Sequence, residues 1–176
     1  MKRSGTAYLK ALAATAMLVA VEVVLSRFCS INTMGWKIGF SFVPVALCAA
    51  TFGPFWAAAC YALADLIGAL LFPIGPYFPG FTVVAGIMGA VYGLFVYNKE
   101  KPRFFVDILL PTLINCLVLG LALNTVWVSI LYSSKNYWGW FVYRLPEYAV
   151  LIPLNLIFLP IISRLSAVLR KTALLR

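Results

Sequence analysis

Charges are so sparse in this chain, and so unevenly placed, that they cut it into apolar stretches long enough to cross a bilayer. Its Lys and Arg residues fall into two sets. Lys2, Arg3, Lys10, Lys99, Lys101, Arg103, Arg164, Arg170, Lys171 and Arg176 lie near the two ends and in one central loop; Arg27, Lys37, Lys135 and Arg144 lie between them. Six spans with both termini cytoplasmic put the whole first set inside, as the positive-inside rule requires. The four outer cations then need a separate account, and a bound anion supplies one. Composition agrees with immersion in lipid: 64% of residues are hydrophobic and 11% charged, where a soluble domain carries about a quarter charged. The net charge of +9 is therefore topology signal, with some attraction to anionic headgroups, and does not point to nucleic acid.

The expected fold is an all-α integral membrane protein, a compact six-transmembrane-helix bundle formed by one domain over residues 1–176. The first span is expected over Tyr8–Phe28. Lys2 and Arg3 before it resemble the start of a signal peptide, but the run is too long for one and no cleavage site follows. A short second segment runs from Ile38 to Thr51, the Phe52-Gly53-Pro54 turn follows, and the third covers Phe55–Phe72. Residues 73–80 (PIGPYFPG) are too rich in Pro and Gly for a helix interior. The fourth span is Phe81–Tyr97, the fifth Phe104–Tyr132 and the sixth Pro146–Leu169, with Ser133–Tyr143 as a polar aromatic loop.

Several chemistries are disfavoured. With no histidine, the chain lacks the usual general base and the commonest metal ligand. Cys29, Cys48, Cys60 and Cys116 show no metal or redox spacing and read as small packing residues. The glycines of residues 75–80 lack the Lys and Ser/Thr of a phosphate-binding loop. No enzyme activity, cofactor or metal is expected, and energy for any transport must come from an ion gradient or a partner. No internal repeat is visible, which counts against an inverted-repeat carrier.

Small residues recur at helical spacing. Ala13, Ala16 and Ala20 line one side of the first span, and Gly86, Gly89 and Gly93 one side of the fourth. Lipid gives helices no hydrophobic drive to associate, so they dock by close backbone approach over such residues. The fourth-span glycines read as packing within the bundle; the first-span alanines fit either packing or a docking face for another subunit. Glu22 and Asp65 lie inside apolar runs, where a carboxylate turns inward and finds a cation. Arg27 and Lys37 are the nearby candidates, and an internal ion pair and a ligand role both remain open.

Three loops converge on the outer side. Arg27, Asn32, Trp36 and Lys37 lie in the first. Tyr77, Phe78, Pro79, Gly80, Phe81 and Thr82 lie in the second, and Lys135, Tyr137, Trp138, Trp140, Tyr143 and Arg144 in the third. An interfacial aromatic belt explains each ring singly. It does not explain rings interleaved with cations on the side where topology disfavours cations. Arg grips carboxylates and flat rings stack on flat ligands, so together they describe a pocket for a planar aromatic molecule with acidic groups.

Five segments in order, residues 24–28 (VLSRF), 64–68 (ADLIG), 77–82 (YFPGFT), 123–127 (LNTVW) and 144–146 (RLP), resemble the folate-specific substrate-binding subunits (S components) of energy-coupling factor vitamin transporters. The resemblance runs from the first span to the sixth. It implies a protein that captures folate outside, then docks on a transmembrane coupling subunit carrying two cytoplasmic ATPases. Ala16 and Ala20 match the small alanines that touch the coupling subunit in that family. Folate has two flat ring systems and a tail with two carboxylates. Phe78, Phe81 and Trp138 or Trp140 are expected to stack on the rings, Asn124 and Thr82 to meet the pterin edges, and Arg27, Lys37 and Arg144 the acidic tail. Tyr77, Pro79 and Gly80 complete the expected site. An S component for another aromatic or acidic vitamin, and a proton-coupled carrier using Glu22 and Asp65, are the competing readings.

Overall fold

The computed structural model describes residues 5–33, 36–132 and 135–171, without the side chains of residues 6, 7, 170 and 171. Lys2, Arg3, Met34, Ser133 and Arg176, and the side chains of Arg170 and Lys171, lie outside what is described. The chain forms α1 (Gly5–Arg27), a two-stranded antiparallel hairpin of β1 (Ile31–Thr33) and β2 (Trp36–Ile38), α2 (Phe42–Phe52), α3 (Pro54–Leu71) and α4 (Pro79–Val96). A continuous helix over Phe104–Leu131, here α5, and a last helix over Tyr137–Lys171, here α6, complete it. Five of these helices are long and apolar enough to cross a membrane; α2, with 11 residues, is not.

Burial explains why so short a helix persists at the centre. Val45, Ala46, Cys48, Ala49 and Ala50 are fully enclosed, with α1, α3, α4 and α6 packed around them. At 1.5 Å per residue α2 is about 16 Å long, roughly half the bilayer core. The hairpin stands where a longer second span would have continued. Ile31 pairs with Ile38 and Thr33 with Trp36, so the second segment begins at Phe42 rather than at the expected Ile38.

The expected turn between α2 and α3 rests on Gly53, whose φ of 99° lies where a Cβ is costly, followed by Pro54 in the first turn of α3. The closest helix pair is α3 with α4. Gly89 lies against the backbone of Ala57, and Gly93 against that of Pro54, both too close for an added methyl. The packing reading of these glycines therefore describes the fold. Residues 72–78 interrupt the helices as their prolines predict, although α4 starts two residues before the expected Phe81, using Pro79 in its first turn.

Helix α5 matches its expected span closely, but much of it is wound as π-helix, over Phe104–Leu109 and Ile114–Leu123. Its first turn is fixed by Asp107, which accepts from the Arg103 backbone N–H at 2.8 Å and pairs with Lys99 at 3.5 Å. Helix α6 departs most from expectation. It begins at Tyr137 and runs through Pro146, Pro153 and Pro160, so most of the expected loop Ser133–Tyr143 is helical. Asn136 supplies the start signal: its side-chain oxygen accepts from the Gly139 N–H at 2.9 Å, as an N-cap does. Prolines are tolerated within such a helix where neighbours satisfy the freed carbonyls.

Candidate functional site

One end of the bundle opens into a cavity of about 520 Å³, a size suited to a small organic ligand. Every helix and both strands contribute residues to its wall, α2 through Phe42 at its start. The hairpin is fastened over one side. Trp36 donates from its ring nitrogen to the Tyr143 carbonyl at 2.8 Å, and its ring packs at a tilt on that of Tyr143, centroids 5.5 Å apart. The Lys37 backbone N–H donates to Glu147 Oε1 at 3.2 Å. The segment between α3 and α4 is fastened on the other side. Thr82 Oγ1 donates to Asp65 Oδ2 at 2.7 Å, so the Tyr77 hydroxyl, 2.8 Å away, must donate to Thr82.

Of the residues expected at the site, Arg27, Lys37, Tyr77, Phe81, Asn124 and Arg144 line this cavity. Phe78 turns away to pack on Trp127, ring centroids 5.0 Å apart. Pro79 opens α4, and Gly80 lies beneath the same Phe78–Trp127 pair, where a side chain would collide. Thr82 stands behind Asp65. Trp138 is 68% exposed and packs outward with Tyr137 and Phe141. Trp140 is 2% exposed, donating to the Tyr132 carbonyl at 3.1 Å, and so buttresses the cavity wall from behind.

Arg144 is the most constrained cation. Its Nε meets Glu147 Oε2 at 3.2 Å, Nη1 donates to Thr125 Oγ1 at 3.1 Å and Nη2 to the Tyr148 hydroxyl at 2.9 Å. Three of five guanidinium hydrogens are engaged, leaving two for a ligand. Lys37 sits among the carboxylates of Glu22, Asp65 and Glu147; burial lowers its pKa, while the negative charge of Glu22 pulls it back up. Arg27 donates from Nη2 to the Asp65 backbone carbonyl at 3.4 Å, and its Nε has no partner. The expected pairing of Glu22 or Asp65 with Arg27 or Lys37 is not made within 4 Å among the described residues, where Lys99 pairs with Asp107 and Arg144 with Glu147. Glu22 is buried, one carboxylate oxygen unpartnered.

Sequence reasoning missed the neutral polar floor. Tyr61, Tyr92, Asn115, Tyr148 and Asn155 all reach the cavity. Tyr92 donates to Asn155 Oδ1, and Asn155 in turn donates to the Leu151 carbonyl at 2.9 Å. Asn115 is 3% exposed and donates to the Met88 carbonyl at 3.1 Å. Nine residues along an α-helix turn through about 900°, which would put Asn115 and Asn124 on opposite faces. The π-helical winding of the intervening Ile114–Leu123, whose i→i+5 bonds make each turn wider than an α-helical one, brings both to the cavity. No feature of local sequence announces that winding.

The arrangement has the parts of a receptor for a flat anionic molecule: rings, neutral hydrogen-bonding groups and three cations around one enclosed space. The sequence profile described as ECF transporter, substrate-specific component, matches residues 10–163. A protein of Clostridium novyi (strain NT) named "Folate transporter FolT" is 39% identical over 142 residues, covering 81% of each chain. One of the same name from Leuconostoc mesenteroides subsp. mesenteroides is 31% identical over 127 residues, covering 72% of this chain and 68% of its own. The solved structure titled "Crystal structure of FolT bound with folic acid" superposes with a TM-score of 0.80 at 38% identity, covering 88% of this chain and 94% of that one.

Proposed function

The chain belongs to the family of substrate-specific components of ECF transporters, and we propose that it is the folate-binding member, capturing the vitamin in the cavity beneath the hairpin. It is a multi-pass membrane transport protein and not an enzyme. The observation that carries the assignment is the match over nearly the full chain to a structure holding folic acid, together with a cavity whose cations and rings suit that ligand. The short α2 acts as the second of six spans, with the hairpin standing beyond its outer end, in a single domain with both termini cytoplasmic. That orientation leaves the cavity facing outward.

The ring systems of folate would lie against Phe81 and Tyr77, with Asn124 at a ring edge. The acidic tail would meet Arg27, Lys37 and Arg144. Phe78, Pro79, Gly80, Thr82 and Trp140 act by holding the wall and the segment between α3 and α4, while Trp138 lies exposed on the surface of α6. A vitamin without carboxylates leaves buried cations unpaired, which discriminates more strongly than lost apolar contact. Delivery would require a transmembrane coupling subunit and two ATPase subunits. Ala13, Ala16 and Ala20 are all exposed on α1 and form the face offered to the coupling subunit.

Calorimetry of the purified chain with folic acid, and with riboflavin, thiamine and biotin as controls, tests the ligand. Nanomolar, folate-only binding without ATP supports the assignment; a folded protein that ignores folic acid defeats it. Ala16→Trp should leave folic acid affinity unchanged yet abolish ATP-driven uptake by the assembled transporter. Undiminished uptake would remove α1 from the docking face. Lys37, with its lowered pKa, loses its charge as pH rises sooner than an ordinary lysine. Affinity for folic acid should therefore fall with rising alkalinity, and Lys37→Arg, charged throughout that range, should flatten the profile. An identical profile in the variant would place Lys37 away from the tail.

A further inference from the structure

Arg27 reaches the cavity by lying across the last turns of α3, and one residue makes room for it. A methyl group built on Gly68 would have the Arg27 guanidinium as its nearest neighbour, 2.5 Å from Nε, 2.9 Å from Nη2 and 3.1 Å from Cζ. The closest clash would be with the movable end of one side chain rather than with backbone. This sets Gly68 apart from Gly89 and Gly93, whose missing side chains face backbone. Glycine inside a helix costs about 1 kcal/mol relative to alanine, so its presence here asks for a reason. The space its missing side chain leaves is taken first by the Arg27 guanidinium from the end of α1, and not by the backbone of a neighbouring helix. The guanidinium itself is held lightly, by the single bond to the Asp65 carbonyl, and its Nε remains unpartnered. A side chain so weakly tethered takes its position from the shape of the surface beneath it.

We propose that Gly68 is a positioning residue for ligand binding: the bare helix surface lets the Arg27 guanidinium lie flat against α3 and face the carboxylates of the bound molecule. This rests on the folate reading of the cavity and on Arg27 meeting the acidic tail. Alanine at position 68 lifts the guanidinium off the helix and displaces it from that contact. The fold should tolerate the change, since the nearest atoms the added methyl meets belong to a flexible chain end.

The test compares folic acid with its dimethyl ester, which keeps the rings and removes the tail charge, by calorimetry on the full chain in detergent. Gly68→Ala should weaken folic acid binding tenfold or more, leave the ester within about twofold, and not lower the thermal unfolding midpoint. Arg27→Ala should give the same pattern, and the double variant should bind no worse than Arg27→Ala alone, because both changes remove one interaction. Arg27→Lys in the Gly68→Ala background should recover part of the preference for the free acid, a thin lysine chain passing the methyl where a guanidinium cannot. Wild-type affinity in Gly68→Ala, or equal loss for both ligands, overturns the inference while leaving the folate reading intact. An Arg27→Ala variant that binds folic acid normally overturns the placement of Arg27, and the role of Gly68 with it. A wild-type chain that does not bind folic acid defeats the underlying reading instead.

Discussion

Replacing Arg144 by alanine is expected to weaken folic acid binding by tenfold or more, about 1.4 kcal/mol, and to destabilise the protein as well. Both effects come from one arrangement. The guanidinium is buried, paired with Glu147 and bonded to Thr125 and Tyr148. Removing one member of a buried ion pair leaves the other uncompensated, at a cost of about 3–5 kcal/mol. Glu147 also receives the Lys37 backbone N–H, so the hairpin's attachment to α6 should loosen. A second substitution separates the two effects. Arg144→Ala with Glu147→Gln removes the stranded charge and should recover much of the stability, but not the affinity for folic acid. Recovery of both would show that Arg144 serves only to neutralise Glu147 and does not meet the ligand.

Gly93→Ala should be among the most damaging single-methyl changes in the helical frame. The added group would be driven into the backbone of Pro54, at the turn that starts α3, where neither helix can yield without separating. Overpacking of this kind costs about 1–3 kcal/mol, and the atoms struck here are those of Pro54, whose backbone and ring cannot turn aside. The same substitution at Gly86, two turns away on the same side of α4, meets only the Ala62 Cβ at 3.5 Å and the Ala58 carbonyl at 3.8 Å, and should be tolerated. Thermal unfolding in detergent compares them directly. Equal midpoints for the two variants would mean that α3 and α4 are not held at the distance described.

Much of the helical frame could be read from local composition. Runs of apolar residues fixed the places of α1, α3, α4 and α5, the Gly53-Pro54 pair fixed a turn, and prolines fixed the break over residues 72–78. Each of these follows from how a short stretch partitions between water and lipid, or from what its backbone can adopt. The start of α6 was also written locally, in Asn136, but aromatic and polar residues around it read as loop. The hairpin had no comparable signal, because its two short strands are held by Trp36 and Lys37 reaching more than a hundred residues along the chain to Tyr143 and Glu147.

For the cavity, charge placement along the sequence picked out Arg27, Lys37 and Arg144, since a cation on the disfavoured side of a membrane calls for a reason. It also picked out Phe78 and Trp138, which the structure turns away from the cavity, and it passed over Tyr61, Tyr92, Asn115 and Asn155, which the structure turns toward it. A buried tyrosine or asparagine is unremarkable until the rotation of its helix is known. Sequence alone thus determined that the chain crosses a membrane several times and gathers cations and rings at one end. Only the tertiary structure decided which of those groups share a space. Lipid selects apolar segments without specifying their rotation, and rotation is set by close contacts such as Gly93 on Pro54 and by the π-helical winding that brings Asn115 and Asn124 to the cavity.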